Sequence, residues 1–485
     1  MLTVKRLSPL LRVPFLVLWV VVGYPLMGVY ALASALLMGV YVICRSLHRK
    51  ESMILPLLSL VVTVVAVYLI PQIYYKYYTT MTSEFIYLIG VPCVQWRGVT
   101  VAKVVHETSS YWHSIFTYWV PFFLLLALYA VMSILVSFEN RFGARKKMVS
   151  MLFALITLLF FVLMHIFYWY NDDNFRIENK QNNAMWEQNW RKVADYARDA
   201  EAPTRQVVLN KNIALAKMGL LGSESFTYPD GSSDILAPMA VHLTQTGGKM
   251  AYFQHGKFNF CYRWCVEDAV EFGWRVEYLK HAVRAMLLSG EYRVAQRYID
   301  ILKRTMFHAS WAEEMEAFIK NTELISKDSE FALPLELSCY PDALEVDESF
   351  VEVYLMNGFK NIYPDVSKEY LEIALNFAMT RKDAKIFWVV LDRYLRVVNP
   401  KTLPRHFQEA FLLFYNIDKG KTITVSKEFF DRFISKQTDR RFNAFIKKTT
   451  KYKGMKEAEM AKYFKDEYGD TYFYFYFFVR KIRTN

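Results

Sequence analysis

Apolar positions change their period once along this chain. Up to Tyr170 they come in uncharged runs, and beyond it they recur at the three-to-four-residue spacing of one helix face. A bilayer core takes about 20 apolar residues per helix, and four stretches meet that length. Val13 to Cys44 holds no charge over 32 positions. Its simplest reading is one span over Pro25–Cys44, preceded by an interfacial or partly buried segment. A cleaved signal peptide is the rival, since Lys5, Arg6 and Arg12 precede the run and Ala31-Leu32-Ala33 resembles a cleavage site. The run continues well past Ala33, which favours an uncleaved span. Met53–Tyr75, Tyr118–Phe138 and Met148–Tyr170 are the other three spans.

After Tyr170 the pattern is that of stacked helices. Asn171–Asn183 is polar and reads as a linker, and Met185–Asp199 as a first helix. Gly222, Gly256 and Gly290 are spaced 34 residues apart. Around them Phe258 and Tyr292, Cys261 and Ala295, and Trp264 and Tyr298 share the same offset. That is the length of a tetratricopeptide-like helix-turn-helix repeat. Glycine suits the turn after the first helix of each pair, where a left-handed backbone is needed. The phase breaks at the turn-rich Tyr228–Asp234 and again over residues 321–348. It resumes with Tyr370, Leu371 and Ala374, which echo Tyr278, Leu279 and Ala282 at an offset of 92. Pro404–Tyr415, Ser426–Ser435 and Arg440–Lys448 read as shorter helices, the second capped by Thr424 or Ser426. Seven aromatics, Tyr472 to Phe478, close the pattern. They read as a helix covering the apolar face of the last repeat, with a membrane-surface anchor as the sharper alternative.

The expected fold is therefore all-α: a transmembrane helix bundle over 1–170, tetratricopeptide-like repeats over 171–320, and further repeat or capping helices over 321–485. Charge refines this picture. Residues 1–170 carry 13 Lys and Arg against 4 Asp and Glu, so most of the net charge of +12 lies in the hydrophobic part. There it reads as membrane flanking and not as a nucleic-acid footprint. The clusters Arg45, Arg49, Lys50 and Arg141, Arg145, Lys146, Lys147 face the cytoplasm by the positive-inside rule. That puts the helical region outside the cytoplasm, although Lys5, Arg6 and Arg12 argue the other way. The expected location is a bacterial inner (plasma) membrane, crossed several times.

No phosphate loop, zinc motif or nucleophile elbow is present, and no cofactor or metal is implied. Cys261 and Cys265 read as buried small hydrophobes. The loop between the second and third spans gathers Glu84, Arg97, Lys103, His106, Glu107 and His113. Glu84, His106 and Glu107 are the weak catalytic candidates there, in a transferase acting on envelope glycan or lipid-linked substrates. His165, inside the fourth span, reads as a packing or interfacial residue. The binding candidates are Asn210, Lys211, Lys217, His281 and Arg284, which would line a concave repeat face, though a solvated helix face has the same appearance.

The Trp186–Tyr196 helix, Leu209–Gly222, Gly290–Leu302, Leu403–Ala410 (LPRHFQEA) and Tyr468–Tyr472 (YGDTY) resemble an uncharacterised family of bacterial inner-membrane proteins. The resemblance covers most of residues 185–480 and, loosely, the four spans. It implies several spans followed by a tetratricopeptide-like domain, and carries no activity. Together these readings lead to a membrane-tethered interaction or scaffold module, with the lipid bilayer and a protein or peptide as partners.

Overall fold

The computed structural model describes residues 9–27, 29–48, 52–77, 155, 173–230, 244–272, 274–305, 307–339, 342, 351–418, 426–452 and 454–479. All regular secondary structure among them is helical, and the chain divides into two units, Met1–Arg176 and Ile177–Asn485.

In the first unit, α1 (Pro9–Met27), α2 (Val29–His48) and α3 (Ile54–Tyr77) pack against one another. The uncharged run read as one span with an interfacial approach is thus a helical hairpin. Both helices extend past the uncharged limits, α1 back to Pro9 and α2 on to His48, and so reach 19 and 20 residues. Small residues let them approach: a Cβ on Gly23 would lie 3.0 Å from that of Ala31. Trp19 Nε1 donates to Ser34 Oγ across the hairpin at 2.8 Å.

Helix α3 matches the second expected span. Within it Ile54–Pro71 is, among the described residues, the one segment long and apolar enough to cross a membrane. Its faces are sorted the reverse way from a soluble helix. Ile54, Leu57, Leu58, Val61, Val64, Val65 and Tyr68 are exposed, whereas Ser59 and Thr63 are buried. Both hydroxyls are satisfied within the helix, by Pro56 O and Ser59 O, each at 2.7 Å. The third span, the fourth apart from Leu155, and the loop bearing Glu84, Arg97, Lys103, His106, Glu107 and His113 lie outside the described residues, as does His165.

The second unit begins with a correction. The segment read as a linker is largely helix α4 (Asp173–Trp186), and much of it is buried. Its amides are paired: Gln181 Nε2 donates to Val193 O at 3.1 Å and Val207 O at 3.3 Å. Polar composition suggested solvent, but satisfied amides can be buried at little cost. The chain then runs through α5 (Trp190–Arg198), α6 (Arg205–Lys217), the single turn α7 (Leu221–Glu224), α8 (Thr244–Gln254), α9 (Phe258–Phe272), α10 (Val276–Leu288), α11 (Tyr292–Lys303) and α12 (Ala309–Lys320). Short α13 (Ala332–Leu337) leads to α14 (Val351–Gly358), α15 (Lys368–Thr380), α16 (Ala384–Val398), α17 (Arg405–Asp418), α18 (Lys427–Phe433), α19 (Lys436–Lys451), α20 (Glu457–Tyr468) and α21 (Tyr472–Phe478). Ser426 is the N-cap of α18, its hydroxyl accepting from Phe429 N.

The glycine reading holds at Gly256 and Gly290, with φ of +72° and +76°. In each case the next amide reaches back to a helix carbonyl, Lys257 N to Tyr252 O at 2.9 Å and Glu291 N to Met286 O at 2.8 Å. It fails at Gly222. The left-handed residue there is Gly219, with Leu220 N bonded to Leu215 O, while Gly222 lies inside α7. Gly222 answers a different need: a Cβ would stand 2.7 Å from Pro404 Cβ and 2.9 Å from the Phe407 ring. The echo at 92 residues has a geometric counterpart. Lys382, 92 after Gly290, takes φ +56°, and Asp383 N bonds Ala378 O.

Helices α6, α10 and α15 are buried over nearly their whole length, and α17 over His406 to Phe414. α6 alone is contacted by α5, α8, α14 and α15. The described inner helices therefore do not line an open concave face. The aromatic helix α21 is likewise in the core. Tyr472, Phe473 and Phe475 are buried, and its rings meet Phe226, Phe414, Phe442, Phe445 and Phe464.

Candidate functional site

The burial of the inner helices changes the meaning of the five binding candidates. Asn210, Lys211, His281 and Arg284 are buried and Lys217 is half-buried, so four of them lie on neither a solvated face nor a groove wall. Buried charges need partners, and the structure sorts the candidates into two groups by how well that need is met.

The first group is centred on α6. Arg205 Nε and Nη2 donate to the two oxygens of Glu352 in α14, at 2.7 and 2.6 Å, and Nη1 donates to Asp230 O at 2.9 Å. Burial opposes the charge of Arg205, yet Glu352 outweighs it and holds the guanidinium above its ordinary pKa. Lys211 donates to Ser225 O at 2.7 Å and reaches Asp230 at 3.4 Å; burial lowers its pKa against the pull of Asp230. Asn210 accepts from Gln206 at 2.8 Å and donates to Gln181 at 3.3 Å. This network ties α4, α6 and α14 together and leaves Arg205 with every nitrogen engaged.

The second group gathers where the end of α4, the end of α6 and the middle of α10 meet the Asp328–Glu330 turn. Arg284 Nη2 is paired with Glu330, and its guanidinium carbon lies 4.0 Å from the Trp186 ring centroid and 6.0 Å from that of Trp311. Its Nε and Nη1 are buried with no hydrogen-bond partner among the described residues. The same holds for Trp186 Nε1 and His281 Nδ1, and the Trp186 and His281 rings are 4.8 Å apart. An unmade hydrogen bond of this kind costs about 1–3 kcal/mol. Burial lowers the pKa of Arg284, with Glu330 only partly opposing, and drives that of His281 well down, helped by Arg284, Lys249 and Lys280.

Lys217 donates to Glu330 O at 2.9 Å and stands 5.3 Å from the Trp190 ring; burial brings its pKa down to about 8. Lys280 lies over both Trp186 and Trp311. Gln188, with φ of +55°, bonds Ser329 Oγ at 3.1 Å and reaches Glu330 at 3.5 Å. A left-handed backbone at a bulky residue is strained, and strain of this kind concentrates at functional positions.

Three of the sequence candidates, Lys217, His281 and Arg284, thus meet at one place, while Asn210 and Lys211 belong to the paired network. Sequence reasoning missed Trp186, Gln188, Lys280, Trp311 and Glu330. Trp186 was read only as one apolar position of a helix face. Glu330 fell in the segment read as a break, where no periodicity marks a residue.

Next to this place lies a further buried charge group. Lys249 is paired with Asp268 and lies 4.7 Å from the Tyr278 ring; Glu277 and Asp268 together outweigh burial and raise its pKa. Glu277 itself is pushed up to about 7 by burial, with Lys249 opposing. Cys261 and Cys265 are buried as expected, and no group of three or more metal-ligating side chains occurs among the described residues.

The two motifs LPRHFQEA and YGDTY also meet, in a structural clamp. Arg405 bonds Asp470 at 2.8 Å and Glu409 at 3.0 Å, and Glu409 accepts from Tyr472 N at 2.8 Å. His406 Nε2 accepts from Phe226 N at 3.3 Å, which leaves Nδ1 to donate to Glu409 at 2.9 Å. The clamp docks the aromatic helix α21 onto α17 and onto Phe226, in the turn that follows α7.

Fold and site together define an all-helical protein with a membrane-length apolar helix and a second helical unit that holds an under-satisfied cation–indole cluster in its interior. The chain belongs to the family of unknown function DUF6057, whose pattern it matches over residues 1–479. No curated protein and no solved structure matches it.

Proposed function

We propose that the chain is a membrane-tethered binding module of the bacterial envelope, whose helical unit holds a protein or peptide partner outside the cytoplasm. The observation that carries this reading is the incomplete pairing at Arg284. Its neighbours are cations, indoles and an amide, which are groups that hold a ligand. The tether is supported by α3, whose apolar side is turned outward and whose hydroxyls are turned in. That is the arrangement suited to lipid surroundings.

The test is site-specific photo-cross-linking in cells, with the probe at half-buried Lys280 and, as a control, at exposed Val389. A discrete adduct at Lys280 whose peptide is identified by mass spectrometry, with none at Val389, is expected. Equal labelling at both positions, or none at Lys280, overturns the proposal.

A further inference from the structure

The cations of α19 divide by partner. Arg441 pairs with Asp470, and Lys448 with Glu467 at 2.6 Å, which fastens the helix to α20 and the turn after it. Lys436, Arg440, Lys447 and Lys451 are exposed, and none has an ion pair or hydrogen bond among the described residues. Their spacing of i, i+4, i+11 and i+15 puts them on one narrow face of the helix, in a row about 22 Å long. Exposed Asn443 and Ala444 lie between them. Nearby acids do not neutralise the row. Glu467 and Asp470 are taken by Lys448, Arg441 and Arg405, and Asp439, at the edge of the row, accepts from Asn443 Nδ2 at 3.2 Å. With all of α20 counted as well, residues 436–470 hold ten Lys and Arg against six Asp and Glu. Folding gains nothing from the row, since Lys436 with Arg440 and Lys447 with Lys451 are like-charge pairs at i, i+4.

Such a row suits an extended anionic partner. No ring lies between the cations to stack a base, which disfavours nucleic acid. A plane of phosphate headgroups meets all four cations at once, and with α3 as a tether a bilayer is within reach. Exposed Tyr463, stacked on Tyr452 at 5.5 Å beside the C-terminal end of the row, is a residue type suited to headgroup level. We propose that Lys436, Arg440, Lys447 and Lys451 dock the helical unit on the anionic phospholipid headgroups of the bilayer. This rests on the tether of the binding-module reading and not on its partner.

The test places the full chain in lipid nanodiscs of phosphatidylcholine, alone or mixed with phosphatidylglycerol, with a fluorescent amino acid at Ala444 and an acceptor dye on the headgroups. Energy transfer is expected to rise at least about twofold in the anionic discs and to fall back at high salt. The quadruple variant Lys436→Gln, Arg440→Gln, Lys447→Gln, Lys451→Gln loses the rise, and the charge-keeping variant Lys436→Arg, Lys447→Arg, Lys451→Arg retains it. Equal transfer in the two lipids, a rise that survives high salt or the quadruple change, or its loss in the charge-keeping variant each overturns the inference. If circular dichroism shows the quadruple variant unfolded, the lipid and salt comparisons on the native sequence decide alone. No response to anionic lipid, together with binding of polyglutamate that the quadruple variant loses, assigns the row to an acidic protein and overturns the inference too. A chain retained by neutral discs whose probe ignores anionic lipid defeats the inference and leaves the tether standing; a chain that neither disc retains defeats both. Absence of a cross-linked partner at Lys280 bears on the module alone.

Discussion

Arg205 and Arg284 are both buried arginines on inner helices of the same unit, and each faces a glutamate from a distant part of the chain. They differ in completeness. Arg205 has all three nitrogens bonded and its charge is stabilised, whereas Arg284 has one nitrogen paired and its charge is weakened by burial. A fully paired buried charge fixes one arrangement of helices, here α6 against α14. An incompletely paired one carries an energetic cost that a ligand relieves. The contrast separates a fully satisfied ion pair from an under-satisfied one, the feature on which the proposed binding reading rests, without appeal to any motif.

The largest expected effect tests the structural side. Arg205→Met strips Glu352 of two charge-assisted hydrogen bonds in a place with almost no solvent. Breaking a buried pair in this way costs about 3–5 kcal/mol, read as a fall in the urea midpoint of the helical signal. The double change Arg205→Met with Glu352→Leu should recover most of that loss. A single-mutant cost below about 1 kcal/mol would erase the distinction drawn between the two arginines. Arg284→Met should cost less, about 1–3 kcal/mol, because one carboxylate bond is lost and two unpaired donors go with it. If it costs as much as Arg205→Met, Arg284 is a second structural pair and the site reading fails.

How much of this was legible in the sequence depends on the range of the determinant. Gly256 and Gly290 were readable because a left-handed turn is a local demand that glycine meets, and α15 was readable from its echo of α10. Gly222 misled because a close approach to Pro404 and Phe407 also selects glycine, through contacts about 180 residues away that no local window shows. The Asn-rich α4 misled for a similar reason, since its amides are satisfied by α5 and α6. The candidate site was half visible. Lys217, His281 and Arg284 stood out as polar residues on apolar helices, but their convergence on Trp186 and Glu330 depends on helix packing, which periodicity does not encode. The whole polar set was assigned to one exposed face because a helix wheel does not tell a second buried side from a solvated one.

The smallest effect sharpens the comparison through pH. Lys217 joins the Arg284 cluster, and burial, opposed by Glu330 and reinforced by Arg284, lowers its pKa from 10.5 to about 8. In the unfolded chain the amine holds its proton to about pH 10.4, so between about 8 and 10.4 the unfolded state binds more protons than the folded one. Stability attributable to Lys217 therefore rises with pH across that window, and the cost of burying its charge is fully present below it. Lys217→Met should flatten this part of the stability-against-pH curve and raise stability at pH 7 relative to pH 10. Urea denaturation at both pH values measures the change. A curve that Lys217→Met leaves unchanged would show that burial does not hold this amine below its ordinary pKa, and would take Lys217 out of the comparison.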